Sequence, residues 1–208
     1  MNQRGFSLAE LAISLTIIAL LILATIKGTG LIDQAKAKDV VAIVEDLRMA
    51  TTAFRQRFNY LPGDWPYSAS EIPGVTEATT AGTNGNGIIE GSVDAATGAA
   101  QSGSEVAALP LQLFGAGTIG KINDSDPQRR ITTSYGAVHV VSKATAEGLV
   151  SGFAANNPAA RAAIVINQLP CDVAMEVDAK IDDGSMTTGR AIATACASGV
   201  VQWLAVAM

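Results

Sequence analysis

Residues 4–28 read RGFSLAELAISLTIIALLILATIKG, and between Phe6 and Ile26 the only ionisable side chain is Glu10. About twenty consecutive apolar residues suffice to span the hydrocarbon core of a bilayer. A cleaved secretory signal is the first rival, but its apolar core runs only about 7–15 residues and ends in a small-residue exit site. Here the run is longer, follows only MNQRG, and closes on Ala24-Thr25-Ile26. Arg4 and the initiating amine favour a cytoplasmic N-terminus, which delivers the rest of the chain across the membrane.

Glu10 needs its own explanation, because a carboxylate in lipid is costly unless it lies at the interface, is protonated or has a partner. Close to one end of the run, it can reach headgroups. The alternative is a partner at the same depth. Cutting after Gly5 would free an α-amine with a pKa of about 8, which an adjacent copy could present to Glu10 as an ion pair. Such a pair would fix the stagger between copies.

RGFSLAE followed by the long apolar run resembles the class III signal of type IV pilins and type II secretion pseudopilins. The resemblance covers roughly the first sixty residues. It implies cleavage after Gly5 by a prepilin peptidase and N-methylation of Phe6 by the same enzyme. It also implies a filament core of packed N-terminal helices, in which Glu10 pairs with a neighbour's N-terminus. Many members carry a proline where this chain has Lys27; Gly28 and Gly30 supply local helix weakness instead.

Past the apolar run, Val40, Val44, Leu47, Thr51, Phe54 and Phe58 recur at alternating steps of four and three, the mark of a helix with one buried stripe. Asp33, Lys36, Asp39, Glu45, Arg48 and Arg55 form its wet side, and Pro62-Gly63-Asp64 stops it. A helix over 6–58 is roughly 80 Å long at 1.5 Å per residue. The expected organisation is a leader at 1–5, a transmembrane or filament-core helix at 6–30, an amphipathic spine at 31–60, and a globular head at 61–208.

The rest of the chain defines the head. Residues 65–104 are rich in Gly, Thr, Ala and Ser and read as a long surface connection. Within it, Asn84, Asn86, Gly87 and Ile89 match positions of a calcium loop and Glu90 another, although Gly82 and Val93 stand where strong ligands belong. The competing reading is a glycine-rich turn. YLPGDWP at 60–66, followed by NGNGII at 84–89, also resembles a head-domain hallmark of some pilin-like proteins, with no chemistry assigned to it. A short helix is expected in SEVAALPLQLFGAGTI, with Val106, Leu109, Leu113 and Phe114 inward. Strands are expected near 135–142, 161–169 and 199–207. Together with the spine these give an α+β fold, a long helix laid against a small antiparallel sheet.

After Pro170 an amphipathic helix is expected, with Val173, Val177 and Ile181 on its buried face. Asp172, Glu176, Asp178, Asp182 and Asp183 crowd this region, and Asp178, Asp182 and Asp183 are candidate ligands for a hard cation. The turn reading of Asp182-Asp183-Gly184 competes. An export signal makes Cys171 and Cys196 candidates for a disulfide, with two unpaired thiols as the alternative. The pairing also resembles the disulfide-bounded C-terminal region of many type IV pilins.

The 208 residues carry a formal net charge of −5, only 16% charged side chains and 5% aromatics. That balance argues against direct nucleic-acid binding, and Arg129-Arg130 is an isolated pair. Two cysteines and one histidine, His139, do not supply a structural zinc site. His139 has no sequence neighbour that would make it a base, so it reads as a strand side chain. No catalytic residue and no cofactor is expected, calcium being the one candidate ligand.

The leading expectation is a pilin or minor pilin. It would be held in the bacterial inner membrane with its head in the periplasm, then drawn into a filament. Its partners would be the lipid bilayer before assembly, the prepilin peptidase, an inner-membrane assembly platform and other subunits. A type II secretion pseudopilin and a monomeric membrane-anchored binding module are the alternatives.

Overall fold

The computed structural model describes residues 7–66, 71–75, 78, 84–120 and 130–208, with the backbone alone at 24–30. Helix α1 runs from Leu8 to Phe58. Proline is absent from this stretch, Ser7 caps its start in the extended region, and Asn59 ends it in the left-handed conformation, φ 62°. The backbone stays helical through Lys27–Gly30. Ala37, Val40, Val44, Leu47, Thr51 and Phe54 are all buried, as the spacing predicts, whereas Phe58 is only half-buried. Each large apolar member of this stripe contributes about 1.5–3 kcal/mol by leaving water.

The head is an antiparallel sheet with helices around it, the expected α+β arrangement. Its strands are β1 (Ile131–Thr132), β2 (Ala137–Ser142), β3 (Ala162–Pro170), β4 (Ala191–Ala193), β5 (Cys196–Ala197) and β6 (Val200–Ala207). The order is β1-β2-β3-β6-β4, with β5 pairing to β6 beyond β4. His139 lies opposite Val165, and Val165 opposite Ala205. Ala162 to Asn167 of β3 are buried without alternation, so both faces of this central strand are covered. This explains why it reads as an unbroken apolar run. Helices α2 (Glu105–Gly115), α3 (Lys143–Leu149), α4 (Phe153–Asn156) and α5 (Cys171–Ile181) complete the head, and α5 lies along α1. In α5, Val173 and Val177 are fully buried while Ile181 is half-buried.

Two expectations need correction. Phe114 is 37% exposed, whereas Val106, Leu109 and Leu113 of α2 are buried on its inward face. The connection at 65–104 is also more than surface. Trp65, Ile72, Val75, Ile89 and Val93 belong to the hydrophobic core, and Trp65 packs edge-on against Phe54 with ring centroids 6.4 Å apart.

Irregular backbone so close to a core must find hydrogen-bond partners, and side chains provide them. His139 Nε2 donates to the Gly98 carbonyl at 2.8 Å, and burial holds its pKa below the ordinary value. Trp203 Nε1 donates to the Ala95 carbonyl at 2.9 Å. Thr145 Oγ1 donates to the Gly91 carbonyl at 3.1 Å. His139 is thus a strand side chain that ties a loop to the sheet.

The turn after α1 supplies the tightest of these ties. Asp64 is fully buried, and its carboxylate accepts from Gly85 N at 2.5 Å, Asn86 N at 3.0 Å and Gly87 N at 2.6 Å. Gly63 donates to Gln112 Oε1 at 2.6 Å. A Cβ on Gly63, whose φ is +91°, would stand 2.7 Å from the Glu105 carbonyl oxygen. Only glycine brings the chain this close to the start of α2.

Candidate functional site

The N-terminal motif combines a helix start with an exposed apolar surface. Gly5 and Phe6 lie outside the described residues. Ser7 Oγ accepts from Glu10 N at 3.3 Å, and Glu10 Oε2 accepts from Ser7 N at 2.9 Å. This reciprocal pair is a capping box, which satisfies two of the amides a helix start leaves orphaned. The carboxylate also sits at the positive end of the helix dipole. Ser7 was missed as a functional residue, although its signal is local: Ser followed three residues later by Glu, ahead of an apolar run.

Every described side chain from Ser7 to Leu23 is exposed, Leu8 at 89%. Leu11, Ile13, Leu15, Ile17 and Ile18 leave more apolar surface uncovered than a lone soluble helix tolerates. Among the described residues no helix is long and apolar enough to cross a membrane. The described apolar side chains here end at Leu23.

A second constellation lies at the end of α5. Asp178, Asp182 and Asp183 each offer a carboxylate oxygen within 4.8 Å of the others. Asp178 is fully buried, and neither of its oxygens has a hydrogen-bond partner. Burial first, then the charges of Asp183 and Asp182, push its pKa up to about 6; the Gly184 N–H lies near enough to offset part of this without meeting hydrogen-bond geometry. Asp183 is held below the ordinary range because it accepts from Ser185 N and Thr188 Oγ1, both at 2.8 Å. Asp182 accepts from the backbone of Arg190 and Ala191. An orphaned buried carboxylate facing two more is a donor set that suits a hard cation with oxygen ligands.

The other candidate ligands are arranged differently. Asn86 Oδ1 accepts from Ile88 N at 2.8 Å, and its Nδ2 donates to Glu90 Oε2 at 3.1 Å. Asn84 Nδ2 donates to the Ala78 carbonyl at 3.1 Å. The amides of this loop point inward at Asp64, the polarity of an anion-binding nest. Of the sequence-derived ligand candidates, the structure therefore brings together Asp178, Asp182 and Asp183.

Cys171, at the first position of α5, and Cys196, in β5, form a disulfide. It clasps the segment that contains the acidic cluster.

No curated protein and no solved structure matches the chain. Residues 1–26 match the family model described as the prokaryotic N-terminal methylation motif. That match identifies this N-terminus as the class III signal of type IV pilins and pseudopilins, and it supports reading the chain as a pilin-like or pseudopilin protein.

Proposed function

We propose that the protein is a structural subunit, a pilin or minor pilin, of a type IV pilus-like filament, and performs no catalysis of its own. The observation that carries this reading is the methylation motif at the head of a helix whose described apolar side chains from Leu8 to Leu23 are all exposed. The class III signal implies processing by a prepilin peptidase and assembly with other pilin subunits. Before assembly, the apolar part of α1 would rest in the inner membrane with the head in the periplasm. An assembly platform would then extract it, exchanging lipid contacts for contacts among apolar helices. Glu10 would trade its capping contact, in part, for the N-terminus of a neighbour. Greasy surfaces alone do not set that register.

Intact mass with N-terminal fragmentation tests the reading. A chain starting at Phe6 with one added methyl is expected; retention of residues 1–5 in cells that have the peptidase would leave a monomeric anchored module in its place. Glu10→Gln should leave cleavage intact. It should lower the filament recovered by shearing roughly tenfold, about the worth of one charge-assisted hydrogen bond.

The geometry at Asp178, Asp182 and Asp183 supports calcium as a structural ligand of the head. Calcium at one hundred times its dissociation constant would stabilise the fold by about 2.7 kcal/mol. A thermal midpoint that rises with calcium in wild type and stays put in Asp178→Asn is the expected result. Equal midpoints with calcium and with chelator would remove the proposal.

A further inference from the structure

The loop that Asp64 holds contains two Asn-Gly pairs, Asn84-Gly85 and Asn86-Gly87. Asn-Gly is the dipeptide most open to self-modification, because glycine has no Cβ to hinder its nitrogen. That nitrogen attacks Cγ of the preceding asparagine. A C–N bond forms, the side-chain amide leaves as ammonia with the proton lost from the glycine N–H, and a cyclic imide results. Water then opens either C–N bond of the imide, giving aspartate or its β-linked isomer. The balance is asparagine plus water to aspartate plus ammonia, and no other reactant is needed.

We infer that Asn84 and Asn86 form a latent self-modification site, held closed by the Asp64 carboxylate until the loop opens. Gly85, Asn86, Gly87 and Ile88 are exposed, so water and hydroxide reach the loop. Yet both attacking nitrogens are engaged. Gly85 N donates to Asp64 Oδ1 at 2.5 Å and to the Asp64 carbonyl at 3.0 Å, and Gly87 N donates to Asp64 Oδ2 at 2.6 Å. Attack requires the N–H to lose its proton, and an amide anion beside a buried carboxylate is electrostatically penalised. The electrophiles are fixed as well: Asn86 by Ile88 N and Glu90, Asn84 by the Ala78 carbonyl.

The same contacts make the conversion, rather than the opening, a one-way event. Conversion of Asn86 to aspartate replaces its donation to Glu90 with two like charges and brings a further carboxylate to the nest around Asp64. The β-linked isomer adds a backbone carbon and shifts the amides out of register with Asp64. A head whose loop has been released and modified could not close again.

The test uses the full-length protein in detergent micelles, incubated at mildly alkaline pH and read by peptide mass mapping at residues 84 and 86. Asp64→Asn keeps the side-chain volume and removes the charge, and it should convert both positions roughly tenfold faster than wild type or more. A folded Asp64→Asn protein, checked by circular dichroism, that converts at the wild-type rate would overturn the inference. Wild type unfolded in urea provides the second comparison and decides the matter if the variant does not fold. Conversion in urea should outrun conversion in the folded chain by at least the same factor, and equal rates would show that nothing guards the loop.

Discussion

Replacing Cys171 and Cys196 together by serine should destabilise the head by about 3.5 kcal/mol, the loop-closure value for the sequence separation of 25 that the disulfide spans. For a domain of this size that is a fall in thermal midpoint of roughly 7–14 °C. The structural reason lies in what the bond ties together. Cys171 opens α5, which packs against the spine helix α1, whereas Cys196 belongs to the short strand β5, two residues long and exposed. Besides the bond, β5 pairs with β6 at two positions, Cys196 with Val201 and Ala197 with Val200. The acidic turn and β4 lie inside the closed loop, so their disorder in the unfolded chain grows when the bond is cut. Thermal denaturation followed by circular dichroism, with and without reductant, measures the effect. A change below about 1 kcal/mol would mean that the loop is already constrained in the unfolded chain.

The second large effect concerns Glu105, whose side chain is fully buried at the first position of α2. Its Oε2 accepts from Glu90 N at 2.6 Å, while Oε1 is buried without a partner. Burial, and then the charges of Asp64 and Glu90, push its pKa up to about 7, against the pull of the Glu90 amide. The folded value lies above the ordinary value of 4.5, so the folded chain binds more protons than the unfolded chain between these two pH values. Stability is therefore full below pH 4.5 and falls as pH rises through 7, by up to about 3 kcal/mol. Glu105→Gln keeps an acceptor for Glu90 N and cannot ionise. Urea denaturation should find it equal to wild type near pH 4.5 and more stable near pH 8. Asp178 contributes a slope of the same sign at lower pH, so the difference between variant and wild type is the quantity to read. Parallel pH profiles for the two proteins would contradict the burial of an uncompensated carboxyl at this position.

The long helix was legible from local features. Its end at Phe58 follows from the first proline after the spine, and its buried stripe follows from a spacing set by 3.6 residues per turn. The cores of β2, β3 and β6 were legible because an apolar run bounded by turn residues has few other destinations. Helices α3 and α4 were missed, since both are short and SKATAEGLVSGFAANN shows no periodicity long enough to stand out. Phe114 looked inward on the same helix face as its neighbours and is not.

The candidate sites divide along the same line. Ser7 and Glu10 are three residues apart on one helix turn, and the chain's own spacing dictates their contact. Asp178, Asp182 and Asp183 share one stretch of chain, so their proximity could be read, but the burial that leaves Asp178 without a partner could not. Asp64 meets Gly85 and Gly87 across more than twenty residues of chain, and Gly63 and Glu90, both distant in sequence from Glu105, come up against it only in the folded head.

The sequence alone determined the N-terminal signal, the helix that follows it and the strands of the core, because each depends on spacing within a few residues of chain. Only the tertiary structure decided that the hallmark turn is a carboxylate caged by amides, and that two acidic side chains are stranded in the core. Desolvation and close backbone approach depend on which distant segments meet, and no local pattern encodes that meeting.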